Sequence, residues 1–188
     1  MKNFLENFNI IYHLFNELEI KDLFLIKTDK VQDNRGTFVK PFTQNTRRQA
    51  IATEEIYYSI SKKNVLRGMH FQVPPYHCSK LIYVVKGAVL DVLVDLRVQS
   101  PTFKKVKSLI LSENKNSLLI PPGIGHGFLA LEDDTIMVYN QSKVYDRKHD
   151  DGILWSSIDF DWPISNPILS DRDKSFKHIS EINDTFNL

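Results

Sequence analysis

Between Lys62 and Arg97 four polar side chains, Arg67, His70, Gln72 and Lys80, sit in or beside runs that otherwise read as buried strand, NVLRGMHFQ and KLIYVVK. A plain core would place Val, Leu or Ile at several of these positions, because an ion or amide leaves water only at a cost. Taken singly, each is an ordinary residue of a half-exposed strand. Together they describe a polar site set into an apolar wall. A histidine, whose ordinary pKa lies near 6.5, takes and returns a proton at neutral pH. An ammonium beside it holds negative charge growing on an oxygen. These parts suit proton abstraction from a carbon next to a ketone. The lysine holds the enolate, and an acid, a role that fits a tyrosine hydroxyl, returns the proton to the other face. Such acid and base groups contribute about 10²–10⁴-fold each.

A second histidine, His126, lies in PPGIGHGF with the spacing P-x-G-x-x-H. This resembles the second motif of double-stranded β-helix (cupin) proteins, where the turn aims the histidine into the barrel. The metal-binding first motif of those proteins has H-x-H and a following Glu; here the stretch reads His70, Phe71, Gln72, with Lys80 further on. Too few ligands and an added cation argue against a first-row metal, which takes three or four protein ligands. His77 falls beyond two prolines, on an expected loop. Cys78 as a nucleophile lacks an orienting group in the sequence.

The elements that must hold these residues read as β. LFLIKT, TFVKPF, IYYSIS, LIYVVK, AVLDVLVDLR, VKSLIL, SLLI, GHGFLAL and TIMVYNQ are rich in β-branched and aromatic residues and end at Pro, Gly, Asn or Asp. DNRG at 33–36 and SPTF at 100–103 predict turns, and Gly87 between two strands predicts a hairpin. The fold class expected is all-β, a sandwich or closed barrel. At 3–18 the apolar spacing of Phe4, Phe8, Ile11, Leu14, Phe15 and Leu18 predicts a short amphipathic helix, packed on the body or on a second subunit. Residues 45–55 read as polar and irregular or weakly helical. The tail after Asp146 lacks periodicity and is expected to wrap one mouth of the barrel, with a short helix near its end.

The chain of 188 residues suits a single domain, read as residues 20–188 behind a helical extension at 1–19. A net charge of +1 gives no general reason to expect nucleic acid or an anionic membrane. One cysteine excludes an intrachain disulfide, and no apolar run reaches the roughly 18 residues of a membrane span. Glu6 and Glu17 and the lack of a basic leader argue against a signal peptide, so a cytoplasmic protein is expected.

Nine separated blocks, NVLRGMHFQ, KLIYVVKG, LDVLVDLR, SPTF, IPPGIGHGF, VYNQSKVY, GILW, DWP and LSDRDK, resemble in order and approximate spacing the dTDP-4-dehydrorhamnose 3,5-epimerase family. The resemblance implies a cupin-type jelly roll, a homodimer without metal or organic cofactor, and a nucleotide-linked 4-keto-6-deoxy sugar (CDP or dTDP) as substrate in deoxysugar and surface-polysaccharide synthesis. It implies His70 as base, Asp173 as the carboxylate orienting it, Tyr139 as acid and Lys80 on the enolate. It places Arg35, Arg67, Gln72, His126, Asp150 and Arg172 against the sugar or diphosphate. Asp91 and Asp95 read as structural partners of Arg67 or Arg97.

The chain departs from the family pattern in three places. Lys40 replaces an acid after the turn arginine, Glu55 and Tyr57 replace Q-x-N, and Val144 replaces one of two tyrosines. Because the proton-transfer residues are kept, the same chemistry on a different nucleotide is expected, with Lys40 and Glu55 reading the base. Inversion at C5, with or without C3, is the leading reading. A 3,4-ketoisomerase of the same fold and a non-catalytic sugar-binding cupin are the alternatives, and Asp173 with Tyr139 favours the epimerase.

Overall fold

Alternating apolar residues and turn signals build the expected strands. The computed structural model describes residues 15–43, 52–182 and 186. In chain order the strands are β1 (Phe15–Glu17), β2 (Phe24–Lys27), β3 (Asp29–Asp33), β4 (Gly36–Lys40), β5 (Glu55–Ser61), β6 (Leu66–Gln72), β7 (Lys80–Lys86), β8 (Ala88–Asp95), β9 (Val106–Ser112), β10 (Asn116–Ile120), β11 (Ile124–Ala130), β12 (Thr135–Gln141) and β13 (Asp150–Gly152). One helical turn, α1 (Asp171–Lys174), follows. A six-stranded sheet runs β1-β2-β10-β7-β12-β5, a five-stranded sheet runs β13-β6-β11-β8-β9, and β3 with β4 forms a separate hairpin. Neighbours in both sheets are antiparallel, which is the jelly roll anticipated from the sequence.

Side chains on a strand alternate between its two faces, so each sheet offers one row to the space between them. Part of that space is filled by a continuous apolar core that includes Ile82, Val84, Val89, Leu93, Leu118, Phe128 and Met137. Further along the same strands the inward row turns polar, and there the site opens.

Three expectations are corrected. Gly87 does not close a hairpin: β7 pairs with β10 and β12 in one sheet, whereas β8 pairs with β11 and β9 in the other. The glycine, at φ +78° and with Thr135 where a Cβ would stand, turns the chain from one sheet into the other. Phe15–Glu17, expected as the end of a helix, is strand paired with β2, where Phe15 meets Phe24 edge-on. The rest of that helix, residues 3–14, lies outside the described residues, as do 45–51 of the polar stretch. Nor does the tail close a mouth. Ile153, Ile158, Ile182 and Phe186 cover the outer face of the five-stranded sheet, against Met69, Phe71, Val92 and Val94, because these residues alternate with the inward row and are apolar too. Only the segment around α1 turns over the edge toward the site. No helix among the described residues is long and apolar enough to cross a membrane.

Candidate active site

β6 carries His70 on its inward face, and α1 brings Asp173 to it from more than a hundred residues away. His70 Nε2 donates to Asp173 Oδ1 at 2.8 Å, since a carboxylate only accepts; the basic site of the ring is then Nδ1. Asp173 is held in turn. Its Oδ2 accepts the Gly68 N–H at 3.2 Å, and its own N–H caps onto Ser170 Oγ at 3.1 Å. Gly68 is required here: at φ +142° a Cβ would fall 2.5 Å from the Cα of Gly127 on β11. Burial works to raise the Asp173 carboxyl, but hydrogen bonds and the charge of His70 prevail and hold it below the ordinary range. Burial lowers the His70 pKa, and the bond and charge of Asp173 oppose it without cancelling it. The pair rests as neutral imidazole and carboxylate at neutral pH.

The facing wall belongs to the six-stranded sheet. Tyr139 on β12 is buried, and burial raises its phenol above the ordinary value, so it stays protonated. Its hydroxyl lies 3.2 Å from Ser59 Oγ, and its ring stacks on Tyr57, the residue directly opposite on β5. Lys80, first residue of β7, is 8% exposed, and burial depresses its ammonium. No hydrogen bond among the described residues reaches that ammonium.

His70, Tyr139 and Lys80 line one cleft of about 460 Å³ together with Glu55, Arg67, Gln72, His126, Asp150 and Arg172. Arg67 is steadied by Ser61 Oγ at 3.1 Å. Arg172 pairs with Asp150 at 2.6 Å and lies over the Phe176 ring. Gln72 forms wall, but its amide is committed to backbone, donating to the carbonyls of Tyr76 and Val144 and accepting the Asp146 N–H. His126 Nε2 and Asp91 Oδ2 share a 2.8 Å hydrogen bond. Asp91 thus serves His126 rather than Arg67 or Arg97; Asp95 does pair with Arg97, at 2.8 Å. Arg35 and Lys40 do not line this cleft: they lie on the β3–β4 hairpin, where Arg35 pairs with Asp33 across the turn.

Two histidine–carboxylate pairs, a buried ammonium and a phenol therefore surround one cleft; of the two pairs, the sequence led us to expect only His70 with Asp173. Residues 17–181 match the model of the family described as dTDP-4-dehydrorhamnose 3,5-epimerase. The chain belongs to that family. It is 42% identical over 162 residues to the dTDP-4-dehydrorhamnose 3,5-epimerase of Shigella flexneri, covering 82% of this chain and 90% of that one. The corresponding enzyme of Sulfolobus tokodaii superposes with a TM-score of 0.86 at 37% identity, covering 94% of this chain and 100% of that one. A 3'-monoepimerase of Streptomyces bikiniensis, in complex with dTDP-quinovose, superposes with a TM-score of 0.81 at 28% identity, covering 88% of this chain and 87% of that one. Epimerases of this one fold therefore differ in how many centres they invert.

Within the epimerase cleft, sequence reasoning missed Ser59, Gln141 and Tyr145 as lining residues and Asp91 as the partner of His126. Alternation along β5 could have found Ser59, because it shares a face with Glu55 and Tyr57. Among the described residues no group of three His, Cys, Asp or Glu side chains converges as a metal would need.

Proposed function

We propose that His70 removes the proton from a carbon beside the ketone of the bound sugar and that Tyr139 returns one from the opposite side. The protein is a carbohydrate epimerase acting at C3/C5 of a nucleotide-linked 4-keto-6-deoxy sugar, as its family membership establishes. The observation that carries the role assignment is topological. His70 reaches the cleft from the five-stranded sheet and Tyr139 from the six-stranded one, so base and acid address a ring lying between them from opposite faces. Inversion needs that arrangement; exchange on one face would restore the starting centre. As the C–H bond breaks, its electron pair moves into the C4 carbonyl and leaves an oxyanion for the Lys80 ammonium, with His126 alongside. Arg67 and Arg172 supply charge for the diphosphate, and Asp150 sets Arg172 in place. Asp173 orients His70 and balances the imidazolium formed in the step. Deuterium uptake at C3 and C5 in D₂O tests the reading.

Glu55 supports a preference for CDP over dTDP. Its Oε2 accepts the Tyr145 N–H at 3.0 Å, and the half-exposed Tyr145 ring stands at the same rim, an aromatic face beside a carboxylate. Cytosine offers an amino donor at N4 to such a carboxylate and an acceptor at N3 to a lysine, whereas thymine offers only the N3 donor. With Glu55 in place of Gln and Lys40 in place of an acid, the complement favours cytosine. In a thermal-shift series of CDP, dTDP, UDP and GDP, CDP is expected to raise the melting midpoint most; a clear preference for dTDP overturns this assignment.

The protein is expected to act as a homodimer. The outer side of edge strand β5 exposes Ile56, Tyr58 and Ile60, and the hairpin exposes Val31 and Phe38, an apolar surface suited to a second copy. Arg35 and Lys40, absent from this chain's own cleft, would reach that of the partner on an exchanged hairpin. Light scattering on the eluting peak should give twice the chain mass; a monomer at micromolar concentration contradicts the assignment.

A further inference from the structure

Tyr57 stands where the family pattern has Asn, and it sits against the acid. Its ring lies nearly parallel to that of Tyr139, with centroids 4.7 Å apart and planes 14° from each other. The two are cross-strand partners, so the stack is set by the β5–β12 register and not by a mobile loop. Behind it runs a short chain of hydrogen bonds. The Tyr57 hydroxyl accepts from Gln141 Nε2 at 2.7 Å, and Gln141 Oε1 accepts from Cys78 Sγ at 3.1 Å. Both supporting residues are buried. On its other sides the Tyr139 ring meets His126 edge-on, with centroids 6.5 Å apart, and its hydroxyl meets Ser59. A phenol confined on a face, an edge and its hydroxyl has little room to swing.

We propose that Tyr57 is a positioning residue that fixes the Tyr139 ring and so decides which carbon beside the ketone is protonated. This inference rests on the proton-transfer reading above. C3 and C5 lie on either side of the carbonyl carbon, so a hydroxyl held at one point is better placed for one of them, and a ring free to swing reaches both. The step in question forms a C–H bond at the enolate carbon and breaks the Tyr139 O–H bond. The C4 carbonyl re-forms, the phenolate keeps the O–H electron pair, and solvent water restores its proton. Small displacements of a reacting group weigh heavily in such steps. A side chain as small as asparagine at position 57 would leave the Tyr139 face uncovered.

The test compares the wild-type protein with Tyr57→Leu and Tyr57→Phe in D₂O, reading by NMR the ratio of deuterium at C3 to that at C5 in early product. Leu removes the stack and is expected to shift the ratio by about tenfold, a modest part of what ångström-scale misplacement can cost. Phe keeps the stack without the hydroxyl and is expected to hold the wild-type ratio. A merely structural role for Tyr57 would slow both carbons together, and an unchanged ratio in a folded Leu variant overturns the proposal. A second measurement needs no substrate and reads the wild-type protein, with one variant used only for assignment. In protein with ¹³C-labelled tyrosine, the Tyr139 ring, assigned with Tyr139→Phe, should give broadened or separate signals for its two edges. Sharp averaged signals mean a freely flipping ring and overturn the proposal. Absence of exchange at both carbons in the wild type would instead count against the epimerase roles, and the ring signals would still decide the clamp.

Discussion

A His70→Asn variant is expected to lose deuterium exchange at both carbons beside the ketone and to show kcat lower by about 10²–10⁴-fold, the range that a positioned general base supplies. KM should change little, because the proposed function assigns the diphosphate contacts to Arg67 and Arg172. The pH profile gives a sharper check. Catalysis requires neutral imidazole, and burial lowers the His70 pKa from its ordinary 6.5. kcat/KM should therefore be level from about pH 6.5 upward through neutrality and fall tenfold per unit only below the depressed pKa. In Asp173→Asn the carboxylate that raises the histidine's pKa is gone, so the acid limb should move to still lower pH while the plateau drops. Rate profiles between pH 4.5 and pH 8 on both proteins read this directly. Retained exchange in His70→Asn, or an acid limb above pH 6.5 in the wild type, contradicts the assignment of His70 as base.

The readable part of this site was the part made by strands. His70 and Lys80 stand out because a charged or titrating residue inside an apolar strand run needs a reason, and strand periodicity is visible in the letters themselves. Asp173 carries no such local sign. It becomes a site residue only because one turn of helix, capped by Ser170, folds it beneath Gly68 on β6, and the pairing spans 103 positions. Without the family resemblance it reads as an ordinary acid in a polar tail.

The errors share a cause. Two apolar strands around a glycine look alike whether the chain returns beside itself or turns into a facing sheet, and the distinction at Gly87 lies in partners more than twenty residues further on, in β10, β11 and β12. Charge alone matches Asp91 to an arginine, but the β8–β11 register places it on the inner face with His126, where hydrogen-bond geometry outweighs formal charge. Its Oδ1 has no hydrogen-bond partner among the described residues, and burial raises its carboxyl above the ordinary range. Tyr57 was visible only as a departure from pattern. Its stacking on Tyr139 depends on a cross-strand register that the sequence of β5 alone does not state.

Lys80→Met is expected to separate function from stability. Lys80, the first residue of β7, is 8% exposed, its ammonium faces the cleft without a hydrogen bond among the described residues, and burial favours its neutral form. Such a group is retained against the interest of the fold, since burying an ammonium without a partner costs free energy that an apolar side chain does not. Methionine keeps an unbranched stem, one heavy atom shorter and without charge. Its thermal midpoint should equal or exceed that of the wild type, by a few degrees at most for a domain of this size. The enolate loses its counter-charge at the moment when negative charge reaches the C4 oxygen, and kcat should fall by about 10²–10³-fold, the cost of removing one oxyanion donor. Lys80→Arg should not restore it, because a planar guanidinium spreads its charge over a fork and does not present the compact point charge of an ammonium. Calorimetry and single-turnover rates on the three proteins give the comparison. A midpoint that drops together with the rate would make Lys80 a structural residue of the barrel, whereas a stable and slow Lys80→Met protein assigns the buried charge to the transition state.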